Sequence, residues 1–274
     1  MTQNNETANC EQRVLVMGIL NVTPNSFYDG GRLSDANAAV EAGLSMIEDG
    51  ADILDIGGES SRPGVEPISL RRELARILPV VEALRTLTTI PISVDTTKAS
   101  VAESALKAGA NIVNDISALR FDPAMAETIS KAGAKVILMH MQGTPQTMQR
   151  EPYYDDVVKE VHGFLMKRAG HAQAAGIPSE RIILDPGIGF GKLLEHNLAL
   201  LRRLPELAAR GYPVLIGLSR KSFLGQLLGL PAPERLEGTI AANSIAILGG
   251  ASIIRVHDVK EGRRTADVAA RLRT

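Results

Sequence analysis

Eight short apolar runs, rich in β-branched residues, recur along the chain, and segments with helical spacing separate them. Strands that are apolar in an unbroken run, rather than at alternate positions, are typical of parallel sheets covered by helices. The predicted strands are Val14 to Leu20, Asp52 to Ile56, Pro91 to Val94, Asn111 to Val113, Lys135 to Met139, Arg181 to Leu184, Val214 to Leu218 and Ser252 to Val256. The pattern therefore predicts an α/β protein with a parallel sheet.

Helix candidates fill the intervals between these strands. They include Ser34 to Asp49, Ser69 to Leu87, Thr97 to Ala108 and Tyr154 to Ala175. Glycine joints such as Gly109 and Gly133 suit a helix end in the left-handed conformation that leads into the next strand. Eight strand–helix units favour closure into a single (β/α)₈ TIM barrel domain over an open doubly wound sheet. We assign residues 14–274 to this barrel and residues 1–13 to a polar leader.

Polar residues follow every predicted strand, whereas the opposite strand ends carry mainly Gly-Ala and Gly-x-Pro joints. Functional groups of (β/α)₈ barrels lie at the carboxyl ends of the strands. The polar residues found there are Asn21, the segment from Gly57 to Pro63, Asp95, Asn114, Asp115, His140, Asp185, Ser219, Arg220, Lys221, Arg255 and His257. We therefore expect one mouth of the barrel to hold the chemistry.

Two carboxylates and an amide, Asp95, Asn114 and Asp185, should converge on that mouth from strands three, four and six. A carboxylate can accept two parallel hydrogen bonds from an amino group and an adjacent ring N–H, so this set suits a flat heterocycle. The alternative is that each residue only caps the helix that follows it, as Asp95 could do.

Ser219, Lys221, Arg255 and His257 follow strands seven and eight. Loops at these positions commonly form the anion site of a barrel, because backbone N–H groups and a helix dipole face a phosphate or carboxylate there. The alternative is a set of solvated cations at a helix start. Two long polar loops, residues 21–35 and 57–68, could close over the mouth and exclude water, or could be ordinary mobile loops.

Composition and missing motifs exclude several classes of function. With 45% hydrophobic and 22% charged residues in 274, the chain is globular, and 30 basic against 31 acidic residues argue against a nucleic-acid or membrane-surface protein. The single cysteine, Cys10, rules out an intramolecular disulfide, and the first apolar run is too short to span a bilayer, so we expect a reducing cytoplasm. The histidines do not form a zinc-binding pattern. The glycines around 187–191 match neither the spacing of a P-loop nor that of the G-x-G-x-x-G dinucleotide motif.

Several ordered motifs resemble those of dihydropteroate synthases, the pterin-binding enzymes of bacterial folate synthesis. The resemblance runs from about Val14 to the carboxyl end. The motifs are Met17 to Phe27 (MGILNVTPNSF), Asp55 to Gly64 (DIGGESSRPG), Ile92 to Thr96 (ISVDT), Asn114 to Ile116 (NDI), Met139 to Gly143 (MHMQG), Asp185 to Gly187 (DPG), Ser219 to Ser222 (SRKS) and Ile254 to Asp258 (IRVHD).

The resemblance implies a barrel enzyme that joins 6-hydroxymethyl-7,8-dihydropterin diphosphate to 4-aminobenzoate and releases diphosphate. It also implies Mg²⁺ as cofactor, sensitivity to sulfonamides as a family trait, and a homodimer. The pterin would be held by Asp95, Asn114, Asp185 and Lys221; the diphosphate by Asn21, Arg255 and His257, with Mg²⁺ on Asn21; and 4-aminobenzoate by Ser61, Arg62, Pro63, Phe190, Ser219 and Lys221. Catalysis would depend on Asn21, Asp95, Lys221 and Arg255.

Two residues depart from the family pattern, and two other functions compete. Ser61 stands where Thr is common, and Asn25 where Asp is common. A methyltetrahydrofolate-dependent corrinoid methyltransferase is similar in fold and in its pterin-holding groups, but it would not need the anion set after strands seven and eight. A non-catalytic pterin-binding or scaffold protein would keep the acids and tolerate loss of Lys221 or Arg255.

Overall fold

Eight parallel strands form one sheet that nearly closes into a barrel. The computed structural model describes residues 13–23, 32–61 and 64–273, with backbone alone at 32–35. The strands β1 to β8 are Leu15–Asn21, Ile53–Gly57, Ile92–Asp95, Ile112–Asp115, Lys135–Met139, Ile182–Asp185, Leu215–Gly217 and Ile253–Val256. They pair in the order β6-β5-β4-β3-β2-β1-β8-β7, and a parallel bridge from Leu184 to Val214 joins the two ends. The predicted (β/α)₈ fold is confirmed.

Helices follow the strands and cover the outside of the barrel. Helices α1 to α10 are Arg32–Glu48, Leu70–Leu87, Ala99–Lys107, Met125–Ala132, Val157–Ala174, Leu194–Arg202, Leu204–Ala208, Ser222–Leu228, Leu236–Leu248 and Val259–Leu272. The four helix candidates agree with α1, α2, α3 and α5 to within three residues at each end. Gly133 ends α4 in the left-handed conformation at φ 62°, as its joint predicted. No helix in the described part of the chain is long and apolar enough to cross a membrane.

Alternation along the strands divides the core into two parts. Outward-facing residues such as Leu54 and Ile56 pack against the helices in the main core. Inward-facing residues fill the lower half of the barrel with an apolar layer formed by Met17, Ile53, Ile112, Ile137, Ile183, Leu215 and Ile253. Because side chains at i and i+2 lie on the same face of a strand, the residues two places further along must face the upper interior.

Candidate active site

The layer above the apolar one is polar on four strands. Two residues after Ile53, Ile112, Ile183 and Ile253 stand Asp55, Asn114, Asp185 and Arg255. The same strand period that fills the lower barrel with isoleucine therefore aims acids, an amide and a guanidinium into the mouth.

Arg255 is the centre of a buried ion cluster. Its Nε donates to Asp55 Oδ2 at 2.6 Å, and its Nη2 donates to Asp95 Oδ2 at 3.1 Å. Asn114 Nδ2 donates to the same Asp55 oxygen at 3.0 Å. Asp55 is fully buried, yet its Oδ1 has no hydrogen-bond partner among the described residues. Since buried carboxylate oxygens are nearly always satisfied, the unpaired Oδ1 is an exception within the cluster.

The cluster perturbs the protonation of its members. Burial and the neighbouring charge of Asp55 raise the pKa of Asp95 to about 7, although Arg255 acts in the opposite direction. Burial alone would lower the pKa of Arg255, but the two acids raise it, so the guanidinium stays charged. The site therefore holds a permanent cation beside a carboxyl that titrates near neutral pH.

A second acid–cation pair lies across the mouth, between β6 and the loop after β7. Burial raises the pKa of Asp185, and the ammonium of Lys221 opposes that shift. Burial lowers the pKa of Lys221 to about 8, and Asp185 opposes that shift in turn. Lys221 Nζ donates to the Ile188 carbonyl and lies 4.4 Å from the centre of the Phe190 ring. An aromatic face and a titratable ammonium are thus held next to a carboxylate.

The loop after β6 is shaped by a buried lysine. Gly187 has φ +64°, and a Cβ there would lie 2.0 Å from the His140 carbonyl oxygen, so no other residue fits. Lys192 Nζ donates to the carbonyls of Gly187 and Phe190 at 2.9 Å each and lies 3.0 Å from His140 Nδ1. Burial and Lys192 lower the pKa of His140 to about 2, so the neutral ring accepts this bond.

Asn21 and Asp95 flank Gly57 at the end of β2. The position that a Cβ of Gly57 would take lies 3.7 Å from Asn21 Oδ1 and 3.9 Å from Asp95 Oδ2. Glycine therefore keeps space open between an amide oxygen and a carboxylate oxygen. In the described part of the chain, no group of three or more His, Cys, Asp and Glu side chains converges on a possible metal position.

Ser219 and Arg220, in the segment after β7, bond to different residues of the loop after β8. Ser219 is buried, and its Oγ contacts the backbone N–H of His257 at 3.2 Å and the ring Nδ1 at 2.9 Å. Arg220 instead makes a two-pronged ion pair with Asp258, in the loop after β8, at 3.0 and 2.5 Å. Helix α8 begins at Ser222, directly after Lys221, as the sequence predicted.

The capping alternative is wrong for two of the three central residues. Asp122 Oδ2, not Asp95, accepts from the first N–H of α3 at 2.8 Å. Asn114 bonds to Asp55 instead of to a helix end. Asp185 does accept from the Gly187 N–H at 2.7 Å, which fixes a turn and leaves its second oxygen for other partners.

Some predicted contacts for 4-aminobenzoate lie outside the described residues. These are Arg62 and Pro63, together with the departure at Asn25 in the first loop. Ser61, the last described residue before them, is half-buried at the mouth side of β2. The roles of Ser61, Phe190 and Ser219 as substrate contacts stay predictions.

Sequence reasoning missed two residues of the site. Asp55 was read only as part of a strand and a motif, although an acid inside an apolar run, in phase with Ile53 and Gly57, indicates the barrel interior. Lys192 is not among the candidate residues of the sequence analysis. No local pattern marks its burial, because the carbonyls that it binds come from the fold of the loop itself.

Comparisons with known proteins agree on one family. Residues 17–257 match the model of the pterin binding enzyme family. The dihydropteroate synthase of Synechocystis sp. is 49% identical over 259 residues, which cover 94% of this chain and 90% of that protein.

Two solved structures are similar along nearly the whole chain. A Yersinia pestis dihydropteroate synthase with a sulfonamide drug complex has a TM-score of 0.89 at 46% identity, covering 95% of this chain and 94% of that one. A Xanthomonas albilineans dihydropteroate synthase with 4-aminobenzoic acid has a TM-score of 0.89 at 46% identity, covering 95% and 93%.

Proposed function

The chain belongs to the pterin-binding enzyme family and, within it, to the dihydropteroate synthases, and we propose how its carboxyl-end mouth performs that transferase reaction. The substrates are 6-hydroxymethyl-7,8-dihydropterin diphosphate and 4-aminobenzoate, and the products are 7,8-dihydropteroate and diphosphate. The observation that carries the assignment is the pairing of Asp55 and Asp95 with Arg255, opposite Asp185 with Lys221. Acids for a heterocycle and cations for a leaving group stand side by side.

The acids and the amide hold the pterin ring. Asp185 and Asp95 offer carboxylate oxygens to the amino group and the ring N–H, and Asn114 adds an amide to the same wall. The free Oδ1 of Asp55 is a further acceptor for a ring donor. Lys221 supplies a donor to a ring acceptor, which its pKa of about 8 permits at neutral pH.

The cations act on the leaving group. The amine nitrogen of 4-aminobenzoate forms a bond to the pterin methylene carbon, the bond from that carbon to diphosphate oxygen breaks, and the amine loses one proton. The electron pair of the broken bond goes to diphosphate, so Arg255 and His257 stabilise charge that grows during the step. No nucleophilic side chain is required, because the ring stabilises positive charge on the methylene carbon.

Mg²⁺ fits the donor chemistry at Asn21. A magnesium ion takes oxygen ligands and usually keeps several waters, so one amide oxygen plus diphosphate oxygens suffices to hold it. Asn21 Oδ1 faces the open space beside Gly57, where the diphosphate of the substrate would lie. When bound, the ion would neutralise charge on the departing diphosphate.

The aminobenzoate subsite lies on the other side of Lys221. We assign it to Ser61, Phe190, Ser219 and Lys221, with Arg62 and Pro63 carried over from the family pattern. The Phe190 ring can stack on the benzoate ring, and the buried Ser219 hydroxyl can donate to its carboxylate. Since the Yersinia pestis relative was solved with a sulfonamide, we expect this subsite to accept sulfonamides too, with Ser61 and Asn25 as the residues that would alter the response.

Exposed apolar side chains support a homodimer. Leu227 and Leu228 on α8 and Ile245 and Leu248 on α9 are between 48% and 61% exposed. The two helices are in contact, and exposed apolar side chains gathered on neighbouring helices are typical of an interface. We place the enzyme in the cytoplasm, on the ground that the single cysteine offers no disulfide to build.

The test is diphosphate release that depends on both substrates. Omission of either pterin diphosphate or 4-aminobenzoate should abolish release. A corrinoid methyltransferase would release none, and a non-catalytic pterin-binding protein would bind pterin without turnover.

We further expect 4-aminobenzoate to bind only after pterin and diphosphate, because the first two loops complete its subsite. Equal affinity with and without pterin plus diphosphate would contradict this order.

A further inference from the structure

A partly buried network of ions links the loop after β2 to the segment after β3. Lys98 Nζ lies 2.5 Å from Glu59 Oε2 and 2.5 Å from Glu73 Oε2. Glu73, on α2, is fully buried, and its other oxygen accepts from the Thr96 hydroxyl at 2.7 Å. We call Glu59, Lys98, Glu73 and Thr96 the loop-anchoring network.

On one side the network holds the loop that leads to Ser61. Glu59 Oε1 accepts from the Ile68 N–H at 2.9 Å, so one carboxylate bonds to the far end of the loop and to Lys98 at once. The Gly58 carbonyl accepts from Arg76 Nη1 at 2.6 Å. The base of this loop is therefore fixed to α2 and to Lys98, two residues before the proposed aminobenzoate contact.

On the other side the network holds the pterin wall. Thr96 directly follows Asp95, and its backbone N–H donates to the Asn114 carbonyl at 3.1 Å. The residues that bind Glu73 thus continue the strand ends that present Asp95 and Asn114. One chain of bonds connects both substrate subsites, although none of its members faces the reacting atoms.

We propose that Glu59 and Lys98 are positioning residues that set the aminobenzoate loop against the pterin wall. This inference rests on the proposed function. Loss of a merely structural ion pair would lower stability and change the KM for both substrates alike. Loss of a positioning pair changes mainly the KM for the substrate whose loop it holds.

The test is steady-state kinetics of Glu59→Gln with each substrate varied in turn. Glutamine keeps an oxygen for the Ile68 N–H and leaves Lys98 paired with Glu73, so no buried charge is orphaned. We expect the KM for 4-aminobenzoate to rise roughly tenfold, the effect of one charge-assisted hydrogen bond. The KM for pterin diphosphate should stay within about twofold, since its contacts are intact.

A double variant and a matched control complete the design. Lys98→Met combined with Glu73→Gln removes the ammonium without leaving the fully buried Glu73 carboxylate unpaired. This double variant should raise the KM for 4-aminobenzoate by the same factor, and adding Glu59→Gln should raise it no further. The control is Lys107→Met, which breaks an exposed ion pair with Glu103 one turn away on α3. This variant should change neither KM.

Three outcomes overturn the inference. An unchanged KM for 4-aminobenzoate in Glu59→Gln rejects the positioning role. An equal rise of the KM for both substrates rejects it too. In either case, turnover by the wild-type enzyme still supports the proposed function. A wild-type enzyme without turnover rejects the proposed function and this inference with it.

Discussion

The two mouths of the barrel differ in how their charged residues are paired. The amino-terminal mouth opens into a cavity of about 1100 Å³ with an apolar floor that includes Ile53, Ile112 and Ile183. Its rim carries exposed pairs one helix turn apart, such as Lys131 with Glu127, whose side chains are 75% and 68% exposed. The carboxyl-terminal mouth carries a buried cluster in which Asp55 is fully buried and Arg255 is 21% exposed.

This difference teaches that the size of a cavity does not locate the chemistry. Exposed ion pairs are solvated in the empty protein and change little when a ligand arrives. Buried acids and cations with displaced pKa values store unfavourable desolvation that a complementary ligand can relieve. The comparison therefore predicts large effects at one mouth and small effects at the other.

The largest effect should come from Arg255. Arg255→Ala removes the cation that we propose acts on the leaving group, and it leaves Asp55 and Asp95 without their partner. We expect kcat/KM to fall by roughly 10²- to 10³-fold, as for loss of one preorganised donor. The free energy of unfolding should fall by about 3–5 kcal/mol. Stopped-flow or coupled diphosphate assays and urea unfolding measure the two quantities.

Two companion variants separate chemistry from folding. Arg255→Lys keeps a charge and should unfold closer to wild type while turnover stays impaired, because lysine cannot bind both acids as a fork does. Arg203→Ala, which breaks an exposed pair with Glu206 at 2.6 Å, should change neither quantity appreciably. If Arg255→Ala turned over at the wild-type rate, the proposal that this mouth stabilises the departing diphosphate would be wrong.

The next effect should come from Asp185. Asp185→Ala deletes the acceptor that we propose for the pterin ring, and it removes a negative charge that interacts with Lys221. Pterin affinity, measured by calorimetry, should weaken by about 1–3 kcal/mol, the range for a hydrogen bond to a charged group. An unchanged affinity would show that the ring binds elsewhere, whatever the effect on turnover.

A smaller effect should appear in the dependence on pH. Asp95 takes up a proton below about pH 7, which removes an acceptor, and Lys221 loses its proton above about pH 8. We therefore expect kcat/KM to rise up to about pH 7 and to fall above about pH 8. For unfolding the sign differs: a raised carboxyl pKa favours the folded state at low pH, and this contribution is lost as pH rises toward 7.

Variants assign the two limbs of this profile. Asp95→Asn should remove the acidic limb, and Lys221→Arg should move the alkaline limb above about pH 10, because a guanidinium keeps its proton there. A profile that stays flat from pH 6 to pH 9 in the wild type would mean that neither group limits the reaction.

Sequence pattern was enough for the fold because every strand repeats one plan. Most predicted strands needed correction by one or two residues, at their starts and also at their ends, where β1, β2, β3, β4 and β6 continue into a polar residue or glycine. The backbone ladder continues regardless of side-chain polarity, whereas the apolar pattern stops at Ile56 and Val94. A pattern of hydrophobic residues therefore ends a strand early where the strand continues into polar residues of the site.

The site was less predictable because its key contacts join distant positions. Strand ends were identified locally, but the bond from Arg255 to Asp55 spans 200 residues and depends on barrel closure. Lys192 is buried among carbonyls that exist only after the glycine loop has folded. The ion pair of Arg220 likewise depends on Asp258, which comes from the loop after β8.

The smallest effect should come from the amino-terminal mouth itself. Lys131→Ala lies on the rim of the 1100 Å³ cavity and breaks an exposed pair with Glu127. Because water screens that pair, the free energy of unfolding should change by less than about 0.5 kcal/mol, and kcat/KM should stay within about twofold. Thermal unfolding and the diphosphate assay would show both on one preparation. A tenfold loss of turnover would place function at the amino-terminal cavity and reverse the contrast between the two mouths.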